Sequence, residues 1–143
     1  MTHFEDHMRV RTRKNFEKLV EEDDPRSGIS YPGEYFVVGV SQSDYRIIND
    51  TGEPVLYLKR MFELVDPEVP RGWYFTEYPD GEYYLEPAAV SVPGFYEDYF
   101  GSDGDRLAQA EAKRVLRNVL ETTLSESHEV DARILRGDLA RLR

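Results

Sequence analysis

The apolar residues of this 143-residue chain come in runs of no more than four or five, as at 35–38. Turn chemistry repeatedly interrupts these runs. Such runs fit short strands, so the expected sheet is small and antiparallel. They are far below the ~20 residues that a spanning helix needs, so no transmembrane segment and no membrane partner is expected. The first seven residues, MTHFEDH, contain no apolar signal region, which points to the cytoplasm.

The β signal is densest between 34 and 66. Residues 34–41 (EYFVVGVS) are rich in aromatic and β-branched side chains, and residues 45–49 (YRIIN) follow as a second strand. Asn49, Asp50, Thr51 and Gly52 supply a turn. Residues 54–58 (PVLYL) return as a third strand, with Pro54 at its start because proline cannot donate to a ladder. A helical turn at 59–62 and a short strand at 63–65 complete the unit. Pro67, Pro70 and Gly72 mark a corner. Residues 73–77 and 82–85 then read as a hairpin closed by Tyr78, Pro79, Asp80 and Gly81.

Helices are expected on both sides of this sheet. Phe4, Met8, Phe16, Leu19 and Val20 recur at helical spacing over 3–22, although Val10 lies off the stripe and 11–15 are all polar. Residues 95–100 (FYEDYF) place four aromatics on one face of a short helix. Residues 105–123 carry an apolar stripe that includes Leu107, Val115, Leu116, Val119 and Leu120. Asp103 and Asp105 read as its capping residues. Residues 127–143 form a weaker amphipathic helix that contains Gly137. The fold class is therefore α+β: an N-terminal helix, a small antiparallel sheet or barrel, a hairpin and C-terminal helices. The expected organisation is a single domain over 1–124 with a barrel-like core at 31–86. A helical tail or arm spans 125–143.

The stretch at 45–66, YRIINDTGEPVLYLKRMFELVD, resembles one that recurs in uncharacterised bacterial proteins with a small SH3-like barrel. The resemblance implies a barrel and no particular function, since such barrels serve many roles. The acidic-aromatic signature of signalling SH3 domains is missing, so no proline-rich peptide groove carries over.

Charge is distributed unevenly. Residues 63–105 hold 11 acidic side chains and one basic one, Arg71, which equals the −10 net charge of the whole chain. Residues 73–100 hold 10 of the 18 aromatics. One reading sinks these rings in the core and leaves the carboxylates as a solvated face. The other makes them a surface for a basic partner, with Trp73, Tyr78, Tyr83 and Tyr96 as anchors among Glu77, Asp80, Glu82, Glu86, Glu97 and Asp98. Nucleic acid is disfavoured, because phosphate binding needs clustered cations. The one dense basic cluster, Arg9, Arg11, Arg13, Lys14 and Lys18, is shared with Glu17, Glu21 and Glu22.

Motifs for catalysis are scarce. With no cysteine, thiol catalysis, disulfides and zinc fingers are excluded. There is no G-x-S-x-G elbow, no phosphate loop with its lysine, and no dinucleotide fingerprint, so no cofactor is expected. His3 and His7 share a helical face and form the nearest approach to a metal pair, but end fraying argues against it. Three functions remain. The leading one is a non-catalytic protein-binding domain, such as an immunity or inhibitor protein against a basic toxin or nuclease. The second is a self-assembling subunit that dimerises through 127–143. The third is a hydrolase using two carboxylates, for which linear spacing supplies no pair.

Overall fold

The fold is organised by one strand that is buried on both faces. In the computed structural model, which describes residues 7–143, seven of the eight residues of β2 (Glu34–Ser41) are buried. Alternation sends Tyr35 and Val37 to one core and Phe36 and Val38 to another. A register shift between Val37 and Gly39 returns Val40 to the first face.

The other strands are β1 (Arg9–Thr12), β3 (Asp44–Ile48), β4 (Pro54–Leu58), β5 (Phe62–Asp66), β6 (Trp73–Glu77) and β7 (Tyr83–Pro87). All pairings are antiparallel. The order β4-β3-β2-β1-β5 forms the main path, and β7 pairs with both β2 and β6. β1 takes the start of β2, at 34–36, and β7 takes its end, at Val40 and Ser41. Because Val40 also pairs with Tyr45 of β3, β1 and β7 share the opposite edge of β2. The sheet thus forks along one edge. It stays open, so the class is α+β without a closed SH3-like barrel.

The helical expectation at the N-terminus is corrected. Residues 1–6, including Phe4 and His3, lie outside the described residues. From Arg9 the chain runs as β1 and then makes a single 3-10 turn, Phe16–Leu19, entered through left-handed Asn15. Val10 and Thr12 are buried on one side, while Arg9, toward Asp131 of the C-terminal helix, and exposed Arg11 lie on the other, a period-two pattern that no helix makes.

The first core gathers Met8, Val10, Phe16, Tyr35, Ile47, Tyr57, Met61 and Phe62 on one side of the sheet. The second gathers Phe36, Val38 and Ile48 beneath three helices: α1 (Phe95–Phe100), α2 (Arg106–Ser125) and α3 (Glu129–Arg141). Ala112, Leu116 and Leu120 recur every four residues to form the buried stripe of α2. Asp105 caps it by accepting from the Leu107 and Ala108 amides. The segment expected as a tail or arm packs on the sheet as α3, burying Ala132, Leu135 and Leu142. Buried Asp131 at its start pairs with Arg9 of β1. At its end Arg141 bonds Asp138 and the Asn49 carbonyl. No helix among the described residues is long and apolar enough to cross a membrane.

A candidate binding face on the β6–β7 hairpin

Register decides which of the hairpin's side chains meet. Trp73, Phe75 and Glu77 lie opposite Pro87, Leu85 and Tyr83, while Tyr74 and Thr76 lie opposite Glu86 and Tyr84. Directly opposed residues share a face. The hairpin therefore has one face of Trp73, Phe75, Glu77, Tyr83 and Leu85, and another of Tyr74, Thr76, Tyr84 and Glu86. The turn is tightly built. Gly81 N–H donates to the Tyr78 carbonyl at 2.9 Å and Glu82 N–H to Asp80 Oδ1 at 3.0 Å. Gly81 holds φ +88°, a conformation open to glycine at little cost.

The first face belongs mainly to the core. Trp73, Tyr83 and Leu85 pack against the first core, and Phe75 stacks on Tyr83 with ring centroids 5.5 Å apart. Lys59 donates to the Tyr83 hydroxyl at 3.2 Å. Trp73 also borders a cleft against α2, with His7, Pro87 and Val119. Trp73, Tyr83 and Glu77 are thus separated from the remaining candidates by the thickness of the hairpin.

The second face brings most of the others together. Tyr78 and Tyr84 meet nearly at right angles, 87°, with centroids 6.0 Å apart. They line two adjoining clefts. One, about 550 Å³, is completed by Pro79, Asp80 and Glu82. The other, about 210 Å³, runs from Tyr78 and Tyr84 past Glu86 to Tyr96 and Glu97 of α1, with Arg46 among its walls. Arg46 is the one cation among the described residues lining these clefts.

Arg46 is tied down. Its guanidinium lies 3.6 Å above the Tyr96 ring, and its Nη1 donates to the Pro54 carbonyl at 2.7 Å. Burial lowers its pKa, while Tyr96 and Glu86 act in the other direction. Burial also pushes the Glu86 carboxyl up, against the pull of Arg46. The Tyr96 hydroxyl is fully buried without a hydrogen-bond partner, and burial raises its pKa strongly. Asp98 lies apart from this cleft lining. A hydrogen bond between the Asp98 and Asp103 carboxyls raises the Asp98 pKa and lowers that of Asp103.

The rings divide between both sequence readings. Phe95 and Tyr99 are core, whereas Tyr74, Phe75, Tyr78 and Phe100 are exposed, Tyr74 at 62%. The residue that sequence reasoning missed is Arg46. A lone arginine in a β-rich run has no motif, and only the fold brings it over Tyr96. The sequence's basic cluster is broken up: Arg9 pairs with Glu34 and Asp131, and Arg11 with Glu63. Arg11, Arg13 and Lys14 line a separate cavity of about 730 Å³, together with Glu34 and Glu63. Of the two histidines weighed for metal, His7 is buried, with Nδ1 3.8 Å from Asp131, and His3 lies outside the described residues. No cluster of metal-ligating side chains occurs among the described residues. Comparison with protein-family models, curated proteins and solved structures finds no match to this chain.

Proposed function

We propose that the protein is a non-catalytic binding domain whose working surface is the Tyr78–Tyr84 face of the hairpin, directed at a basic segment of a partner protein. One observation carries the reading. Tyr78, Tyr84, Asp80, Glu82, Glu86 and Glu97 line two adjoining clefts whose single cation is already committed to Tyr96 and Pro54. Exposed rings give contact area at low entropic cost, and uncompensated carboxylates steer a basic partner and raise its association rate. An immunity or inhibitor protein that blocks a basic toxin or nuclease in the bacterial cytoplasm is one form of this activity.

The test is kinetic. A basic partner retained by the full chain is purified, and association is followed from roughly 0.05 to 0.5 M salt. The association rate should fall at least about tenfold. Glu82→Gln and Glu97→Gln should each slow association and leave dissociation nearly unchanged. A rate indifferent to salt and to both substitutions refutes the reading.

A second reading has one observation behind it. Glu86, with its raised pKa, and Glu97 line the same cleft, as an acid-dependent hydrolase would require. The cleft's 210 Å³ falls below the ~300–1,000 Å³ of ordinary ligand pockets, and Arg46, held over the Tyr96 ring, is one of its walls. Those two facts favour the binding role. Hydrolysis abolished by Glu86→Gln would reverse the order. Self-assembly through 127–143 would have to use what α3 leaves outside, such as Val130, because Leu135 and Leu142 are buried in the chain's own core.

A further inference from the structure

Cations over tyrosine rings recur on this sheet. Arg46 covers Tyr96 at 3.6 Å, and Lys59 Nζ lies 5.6 Å from both the Tyr45 and the Tyr83 rings. Tyr78 and Tyr84 repeat the aromatic half of this arrangement at the hairpin's end. Their 550 Å³ cleft contains two rings, Pro79 and two carboxylates, and no lysine or arginine. Tyr78 is 49% exposed. Arg46 lines the neighbouring cleft, where Glu86 opposes its charge.

Ring faces attract cations through their quadrupole, and a carboxylate rim adds charge attraction. A phosphate or carboxylate would meet Asp80 and Glu82 and be repelled. An uncharged apolar group would leave both carboxylates without a counter-charge. The ring arrangement also selects among cations. A planar guanidinium stacks best on a single ring, and Arg46 sits 3.6 Å over Tyr96, whereas two rings at 87° suit a compact ammonium with no preferred plane.

Building on the proposed role of this face, we infer that the corner between Tyr78 and Tyr84, rimmed by Asp80 and Glu82, is the subsite for a lysine ammonium on the partner's basic segment. Tyr78 and Tyr84 supply the ring contacts. Asp80 is held in place by the Glu82 amide, so its charge is pre-positioned.

The full chain, labelled with nitrogen-15, is titrated with a seven-residue lysine-rich peptide and with its glutamine counterpart. Tetramethylammonium chloride is compared with sodium chloride at equal ionic strength. The lysine peptide and tetramethylammonium should shift the resonances of Tyr78 and Tyr84, and the glutamine peptide should not. Tyr84→Leu should weaken lysine-peptide binding roughly two- to five-fold, and Tyr84→Phe should restore it. Tyr78→Ala provides the same comparison at a more exposed ring should Tyr84→Leu fail to fold. Asp80→Asn keeps the turn acceptor and should cost a similar factor. Lysine-peptide binding that is indifferent to both ring variants, with shifts centred on Glu86 and Glu97, overturns the subsite and leaves the acidic-face reading standing. No binding of the lysine peptide anywhere overturns both.

Discussion

Replacing Gly52 by alanine should undock the end of α3. Gly52 turns between β3 and β4 at φ +84°. A Cβ there would overlap the Arg141 carbonyl oxygen and lie 2.6 Å from its carbon. Both obstacles are backbone, so no rotamer relieves them. The helix end must retreat, and with it go the Arg143 N–H bond to the Gly52 carbonyl, the Arg141 bond to Asn49, and the seat of buried Leu142. The left-handed backbone alone costs about 1–2 kcal/mol with a side chain. Exposing Leu142 adds about 1.5–3 kcal/mol, and each lost hydrogen bond about 1 kcal/mol. The sum is on the order of 5 kcal/mol. Gly81 is the matched control: its φ is +88° and no atom lies within 4 Å of the added Cβ. Gly81→Ala should therefore cost only the backbone term. Urea unfolding followed by circular dichroism would compare the two variants with the parent. Equal losses at Gly52 and Gly81 would refute the close approach between the turn and α3.

Burial pushes the Asp138 carboxyl up to about 7 from an ordinary 3.8, despite its bond to Arg141. The folded state thus holds this proton more tightly than the unfolded chain does, so the stability it contributes is full below pH 4 and lost as pH rises toward 7. The stability difference between the parent and Asp138→Asn should change by about 2–4 kcal/mol between roughly pH 4 and 8, in the variant's favour at high pH. A constant difference would contradict this. Asp131→Ala should cost about 1.5–3 kcal/mol in urea unfolding, because it removes a charge-assisted bond to partly buried Arg9, which keeps Glu34, and the carboxylate beside His7; a loss under about 1 kcal/mol would show the pair to be solvated. Tyr57→Phe removes a donor to the Ser27 carbonyl and an acceptor for Asn49 Nδ2. It should cost about 1–3 kcal/mol in the same assay, and no loss would count against that buried network.

Much of the β framework was legible because its punctuation is local. Asn49 organises its own turn by accepting from the Thr51 and Glu53 amides, so the ends of β3 and β4 are written beside them. Asp105 likewise caps α2 from its own sequence neighbourhood. The N-terminal strand escapes such reading because four residues, Arg-Val-Arg-Thr, are too few for alternation to outweigh a helical stripe drawn from Met8, Phe16 and Leu19. Its partners, Glu34–Phe36 and Phe62–Asp66, are remote in sequence. For the same reason the division of the hairpin's rings between core and solvent could not be read. Tyr83 and Tyr84 are adjacent and compositionally alike, and only register sends one to Lys59 and the other to Tyr78. Arg46 reaches Tyr96 across fifty residues, a distance no spacing rule spans.

The doubly covered strand also has a consequence for how the chain is made. The first core draws on residues 8–85, whereas Phe36, Val38 and Ile48 wait for α2 and for Leu135 and Leu142. A sheet formed during synthesis before α3 is translated would therefore have one greasy side bare. A ribosome stalled before α3 would display that side to chaperones and to other nascent chains, so truncation ahead of α3 should produce aggregates rather than a smaller working protein.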